Sequence, residues 1–340
     1  MNYYLEALQD EHLLLKAALD GYCADALLAA RRIRSLFNEG IADRIVFCGM
    51  GSSLYAAYSV TAKLNNGGVR AEACNCYEVL HYARGRIDNR TILIMISQSG
   101  NTPEAVSLME KKRHTAALTI SMVNNEDGRL LGMSEMDILL KIGRETPVSN
   151  KTYYAQVAQL NLLAAAILGQ ELRTVAKEIC DAIAWHGDYV SGQLENTGCL
   201  IQFMEDVNLT DLLGDDALLG TAMQAGLVLR EMTLRNFCAH SLSDYSHGWF
   251  EIARPGYMMM LFADVIREND NRMINFCLQH GGKVMVFSPQ GLERKHERML
   301  EVKLPRVDCE LFPLYGIVPC YFMAGMLMVD GRKSYAASGN

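Results

Sequence analysis

Five apolar residues in succession, Ile92-Leu93-Ile94-Met95-Ile96, run directly into Ser97-Gln98-Ser99-Gly100-Asn101-Thr102. An apolar run that does not alternate with polar residues has both faces away from water. It therefore predicts a strand of a parallel sheet covered on both sides. Residues 44–48 have the same character and run into Gly49-Met50-Gly51-Ser52-Ser53. Further strands are expected near 71–74, 117–122 and 137–142. Helix-spaced stretches lie between them at 54–64 and 103–114, after a helical region over 5–37 that Gly21 interrupts. After a long helical region over 153–169 that continues, after a break, over 171–206, the pattern restarts. Strands are expected at 209–213, 258–262, 283–287 and 301–304, with helices at 217–237, 271–280 and 315–329. Strands alternating with helices give an α/β fold of parallel sheets flanked by helices. The chain divides into N-terminal helices (1–40), a first α/β unit (41–170) and a second (171–340), with the boundary near 170–200.

A length of 340 residues suits two domains, and half of the residues are hydrophobic, enough for a sizeable core. The net charge of −7 comes without any Lys/Arg block, which argues against nucleic acid or an anionic membrane as partner. The start of the chain does not read as a signal peptide, and the apolar run over 315–329 is broken by Pro319 and Gly325 and is too short to span a bilayer. The ten cysteines are scattered, with Cys74-Asn75-Cys76 the only close pair and no zinc spacing. They read as small buried residues in a reducing cytoplasm, so the protein is expected to be cytoplasmic and to hold no metal.

In open parallel sheets, ligands sit at the carboxyl ends of strands. Both polar turns fall there, and both lead into helices, whose N-termini carry unpaired N–H groups and partial positive charge. Ser52, Ser53, Ser97, Ser99 and Thr102 add hydroxyl donors, and Gly51 and Gly100 would let the backbone approach an anion. Thr102-Pro103 also suits a helix cap followed by proline. Simple helix capping is the competing reading, but two such turns favour an anion site. Neither the dinucleotide fingerprint nor a Walker loop is present. The first turn of the second unit reads Gly214-Asp215-Asp216, and its strand 258–262 runs into Ala263-Asp264-Val265. Carboxylates there would repel phosphate, so one phosphate site per chain is expected, in the first unit. Glu231 lies in an otherwise apolar helix beside Leu227, Val228, Leu229 and Met232. It is either a base with a raised pKa or a surface glutamate paired with Arg230 or Arg235.

The pair CGMGSS and SQSGNTPEAV resembles the SIS (sugar isomerase) domain family, whose phosphate loop reads SxSGxT. The likeness extends over nearly the whole chain as two SIS-type αβα sandwich units. This is the layout of the isomerase half of glutamine–fructose-6-phosphate aminotransferases and of fructosamine-6-phosphate deglycases. The resemblance implies phosphosugar-binding roles for Ser52, Ser53, Ser97, Gln98, Ser99 and Thr102, and for Ser149 in PVSNKTYYAQ. It implies that Glu231 shuttles a proton between C1 and C2. His247 falls on the ring-opening histidine, which in relatives enters from a neighbouring subunit, so a homodimer or higher with a shared site is implied. Lys333 is the candidate for the family's tail lysine. Val228 stands where the aminotransferase has lysine, and Trp249 replaces proline in the usual HGP. The chain starts Met-Asn rather than with a cysteine nucleophile, so glutamine-dependent amide transfer is not expected. The implied function is a deglycase or isomerase acting on a phosphorylated ketose or ketosamine, without cofactor. An amino-sugar-phosphate isomerase or deaminase and a sugar-phosphate sensor without turnover are the alternatives.

Overall fold

The computed structural model describes residues 3–145, 148, 150–195, 198–292 and 295–329. The chain forms two compact units. The N-terminal unit comprises Leu13–Glu145 and Lys151–Ile183, and the C-terminal unit is built chiefly from Ala184 onward. The N-terminal elements are α1 (Tyr3–Asn38), β1 (Arg44–Gly49), α2 (Ser52–Tyr55), α3 (Ala57–Asn66), β2 (Ala71–Asn75), α4 (Cys76–His81), β3 (Thr91–Ser97), α5 (Pro103–Lys112), β4 (Leu118–Val123), β5 (Met136–Leu139), α6 (Lys151–Ile167) and α7 (Leu172–Glu195). Then follow α8 (Gly198–Phe203), β6 (Leu209–Gly214), α9 (Ala217–Thr233), β7 (Asn236–Ser241), α10 (Leu242–Tyr245), β8 (Tyr257–Phe262), α11 (Glu268–Gln279), β9 (Lys283–Ser288), β10 (Met299–Lys303) and α12 (Phe312–Met326).

Every pairing in both sheets is parallel, and each sheet has five strands. The orders are β2-β1-β3-β4-β5 and β7-β6-β8-β9-β10, the same winding twice. Strand order reverses between β1 and β3, where Cys48 pairs with Met95, and between β6 and β8, where Leu213 pairs with Leu261. Those reversals leave a crevice at the carboxyl ends of each central pair, the place where such sheets take ligands. All seven residues of β3 are buried, as its unbroken apolar run predicts. One face of the sheet, through Val46, Cys48, Leu93 and Met95, packs on Ala105, Val106, Leu108 and Met109 of α5.

Three local readings are corrected. Gly21 does not interrupt α1, which runs unbroken for 36 residues. The helix expected over 54–64 is two helices, α2 and α3. The helix expected over 217–237 ends at Thr233, because Leu234 adopts the left-handed conformation at φ 60°. The chain then forms β7, an edge strand that the sequence reading missed. The closing helix expected over 315–329 is present as α12, an apolar helix almost wholly buried in the fold that continues through Pro319.

Gly21 is exposed in a helix interior, and an added Cβ would meet nothing within 4 Å. Glycine there costs backbone entropy without a compensating contact. Gly21→Ala is expected to raise unfolding stability by about 0.5–1 kcal/mol, measurable by urea denaturation.

Candidate functional site

The turn after β1 is dictated by backbone crowding. A Cβ on Gly49 would lie 2.8 Å from the backbone nitrogen of Leu54, so α2 sits against the strand end. Gly51 follows at φ 51°, ψ −127°, angles that an L side chain strains to adopt. Ser52 and Ser53 then form the first turn of α2. Ser53 is buried, and its hydroxyl accepts a hydrogen bond from Gln156 Nε2 on α6 at 3.2 Å. The sequence reading missed Gln156. Its signal was an amide among apolar residues of α6.

The turn after β3 is held by its own side chains. Ser97 Oγ lies 2.9 Å from Thr102 Oγ1 and accepts the Gly100 N–H at 3.2 Å. Ser99 Oγ accepts the Asn101 N–H at 3.1 Å. Thr102 occupies the cap position of α5 with Pro103 following, but its hydroxyl makes no capping bond and turns to Ser97 instead. The expectation of a side-chain cap is corrected accordingly. Gly100 has φ +66°, and a Cβ on it would fall 2.7 Å from the Cα of Gly128. Two glycines thus bring the loop after β4 into backbone contact with the polar turn. Asn125 Nδ2 donates to Ser99 O at 3.2 Å, and the Leu130 N–H donates to Gly100 O at 3.0 Å, fastening the two loops. A cavity of about 690 Å³ opens beside them, lined by Gln98, Ser99, Asn124 and Asn125 and by charged groups of both signs, Lys141 and Arg144 with Glu126, Asp127 and Glu145. Hydroxyls and a helix N-terminus at a sheet's switch point suit an anion.

The C-terminal unit repeats the backbone and changes the chemistry. Gly214 ends β6 as Gly49 ends β1, and its Cβ would meet Leu218 O at 2.6 Å. Asp216 then takes φ 52°, ψ −122°, nearly the angles of Gly51, although it carries a side chain. Burial pushes its carboxyl up, with Glu310 and Asp215 adding to the shift. Asp215 Oδ1 accepts from Ser241 Oγ at 2.9 Å and from the Ser243 N–H and Oγ at 3.2 Å. A cavity of about 480 Å³ here is lined in part by Asp215, Asp216, Ser243, His247, Asp264 and Arg267.

Glu231 sits on α9 with an exposed side chain, and desolvation by neighbouring protein holds its carboxyl above the ordinary range. Val228, one turn earlier, is fully buried. His247 is exposed after α10, where its N–H donates to Asp244 O at 2.9 Å, and Gly248 follows at φ +124°. Glu231 is not among the residues lining the cavity that holds His247. Ser149 and Lys333 lie outside the described residues. Among the described residues, no three His, Cys, Asp or Glu side chains are grouped to hold a metal ion.

Sequence reading also missed a buried polar chain in the C-terminal unit. Asp211, on β6, is 5% exposed and accepts from Tyr257 Oη on β8 at 3.0 Å. The Tyr245 and Tyr257 hydroxyls lie 2.5 Å apart. On its other side, Asp211 Oδ1 is 3.4 Å from His240 Nε2 on β7. The His240 ring packs on the indole of Trp249, with centroids 4.8 Å apart. Burial raises the Asp211 carboxyl, and the Tyr257 and His240 contacts oppose that shift.

The model of the SIS domain family matches residues 41–168. These residues form a SIS domain. The second unit, outside that match, repeats the strand order of the first. The sequence is 23% identical to glutamine–fructose-6-phosphate aminotransferase [isomerizing] of Tropheryma whipplei (strain Twist), over 97% of this chain and 56% of that protein. The chain thus spans about half the length of the curated relatives it matches. In structure it is similar to the C-terminal domain of glucosamine-fructose-6-phosphate aminotransferase from Francisella tularensis, with a TM-score of 0.78 at 16% identity, covering 96% of this chain and 95% of that one. It is also similar to tagatose-6-phosphate ketose/aldose isomerase from Escherichia coli, with a TM-score of 0.76 at 15% identity, covering 100% and 96%. At these identities the structural likeness establishes the fold. Within the SIS domain, the match includes both polar turns.

Two stability outcomes follow. Replacing the strained Asp216 by glycine should stabilise the protein by about 1 kcal/mol or more, whereas Gly100→Ala should destabilise it by about 1–3 kcal/mol, both read from denaturant midpoints. Glu231 supplies a pH test. A raised carboxyl pKa favours the folded state fully below the ordinary glutamate value of 4.5, and that contribution is lost as pH rises through the raised value. Glu231→Gln should therefore exceed the wild type by less than about 1 kcal/mol at pH 7, given the exposure of the side chain. The advantage should vanish by about pH 4.

Proposed function

We propose that the protein acts at C1–C2 of a phosphorylated ketose or ketosamine, most simply as a fructosamine-6-phosphate deglycase or a related sugar-phosphate isomerase. The observation that carries this reading is the SQSGNT turn. It sits at the switch point of a parallel sheet, shaped by the Ser97–Thr102 contact and by the close approach of Gly100 to Gly128. The hydroxyls of Ser52, Ser53, Ser99 and Thr102, with Ser97, Gln98 and Ser149, are assigned to the phosphosugar. Holding the phosphate fixes the far end of the sugar, so that proton transfer at C1 and C2 occurs in one geometry.

Glu231, with its raised carboxyl, is assigned as the base. It removes a proton from C1 and returns it to C2, through an enolamine when the substrate is a ketosamine. The product of that transfer is an imine between C1 and the amine nitrogen. Water adds at C1, the C–N bond breaks, and His247 supplies the proton that the departing amine takes. Hexose phosphate and free amine result. Lys333 is assigned as the tail lysine near the sugar, and the active assembly is a homodimer or higher. The fully buried Val228, standing where the aminotransferase has lysine, favours one second reading, a sugar-phosphate sensor without turnover.

The test is incubation with fructosamine 6-phosphates and with glucosamine 6-phosphate, followed by assay of hexose phosphate and released amine. Glu231→Gln is expected to lower kcat by about 100-fold or more; unchanged turnover in that variant would sink the mechanism. Ser99→Ala and Thr102→Ala should each weaken sugar-phosphate binding by about 0.5–1.5 kcal/mol in calorimetry. Tight binding of these compounds with no turnover of any would favour the sensor.

A further inference from the structure

We infer that α1 pairs antiparallel with α1 of a second copy of the chain, about a two-fold axis that passes near Gly21. The inference deepens the homodimer assigned above; it rests on that part of the reading and on none of its chemistry. α1 buries one face within the fold, through Leu15, Tyr22, Ala26 and Ile33. Its outer face is apolar as well. Leu13, Leu14, Leu27 and Leu28 are 57%, 43%, 42% and 60% exposed. Single exposed leucines are ordinary on a protein surface, but an apolar patch along one helix marks a partner. Between the two leucine pairs stand Ala17, Gly21 and Ala24, all exposed. Leu14, Ala17, Gly21, Ala24 and Leu28 recur at intervals of three and four residues, the spacing of a helix–helix seam. Lys16 and Asp20 lie at its edge, as the charged flanks of such a seam do. The middle of the seam is small, which lets two helix axes approach closely, and a Cβ on Gly21 would meet nothing within 4 Å. An alanine there matches Ala17 and Ala24, so Gly21→Ala leaves the pairing intact.

The order of residues along the helix chooses the occupant. Leucines, small residues and leucines again read alike in both directions, as a surface that meets itself across a two-fold axis must. The charges beyond them differ in sign. Glu6 and Asp10 are exposed before the first leucine pair, and Arg31, Arg32 and Arg34 after the second. Among the described residues, none of these five side chains has an ion-pair partner within the chain. A second α1 laid antiparallel sets each acidic end against a basic end. Laid parallel, it would set like charges together, a cost that selects against that arrangement. An apolar pattern symmetric about its centre, with opposite charges at its two ends, is complementary to itself.

Sedimentation equilibrium on the full chain tests this. The wild type should be a dimer or a larger assembly at about 10 µM. Leu14→Glu and Leu28→Glu change exposed positions and should keep the fold, which circular dichroism checks. Each should raise the dissociation constant by about tenfold or more. Reversing the acidic end (Glu6→Arg with Asp10→Arg) or the basic end (Arg31→Asp with Arg32→Asp) should weaken pairing about fivefold. Joining all four changes in one chain should restore most of the affinity, because each end again faces its opposite. A parallel pair would register none of these reversals, since like would still face like, and that outcome would overturn the inference. So would a wild type that stays monomeric at about 100 µM, whatever else the leucines then bind. A dimer unmoved by Leu14→Glu and Leu28→Glu would overturn it too, and would leave the homodimer to another surface. Hexose phosphate release is scored on the same samples. Its absence from a chain that pairs through α1 would remove the proposed chemistry and leave the pairing in place.

Discussion

The all-parallel ladder is the constraint on which the rest depends. Parallel neighbours cannot be joined by a tight hairpin, so each connection crosses a face as a helix or long loop. In the N-terminal unit the winding reverses between β1 and β3, and the crossovers leave in opposite directions. The two strand ends at that reversal are where polar backbone and side chains can gather without being covered. Both polar turns occupy them. The burial of β3 and the openness of the turn that follows it are two results of one topology.

The same topology occurs twice with different chemistry. Gly51 and Asp216 share backbone angles, and Gly49 and Gly214 leave similarly little room beside the helix that follows. The turn geometry is therefore a property of the fold and does not by itself make an anion site. What separates the units is the side chains in that geometry. In one, Ser97 and Thr102 bond each other and Ser99 borders a cavity lined by Lys141 and Arg144 with Glu126, Asp127 and Glu145. In the other, the Asp215 carboxylate accepts from Ser241 and Ser243.

Much of this was legible in the sequence, because unbroken apolar runs and small polar turns are strong local signals. The parallel α/β character and the two strand-end turns needed nothing more. What escaped had weak local signals. The helix α9 stops at Leu234, which has neither the glycine nor the asparagine that usually announces a left-handed cap, so β7 was absorbed into the helix. Without β7, His240 could not be placed beside Asp211, and the polar chain to Trp249 was invisible. Thr102 looked like a helix cap because its position is one. Only the three-dimensional approach of Ser97 shows that its hydroxyl is used elsewhere. Non-local contacts of this kind leave no periodicity to read.

Costs to stability are unevenly placed. The polar turn after β3 meets much of its hydrogen-bonding need internally, and its positive φ falls on glycine, so it is a low-strain structure. The C-terminal unit instead carries Asp216 in a conformation suited to glycine and Asp211 buried within a sheet, both with raised carboxyl pKa values. Strain and buried charge persist only where the surrounding structure over-determines them. The N-terminal unit has its own instance of strain in Lys141, a non-glycine residue held at φ 55°. A phosphate clamp needs rigidly placed donors, because it holds an unreactive end of the substrate. Groups that move protons need carboxyls kept away from their ordinary pKa, and that requires desolvation.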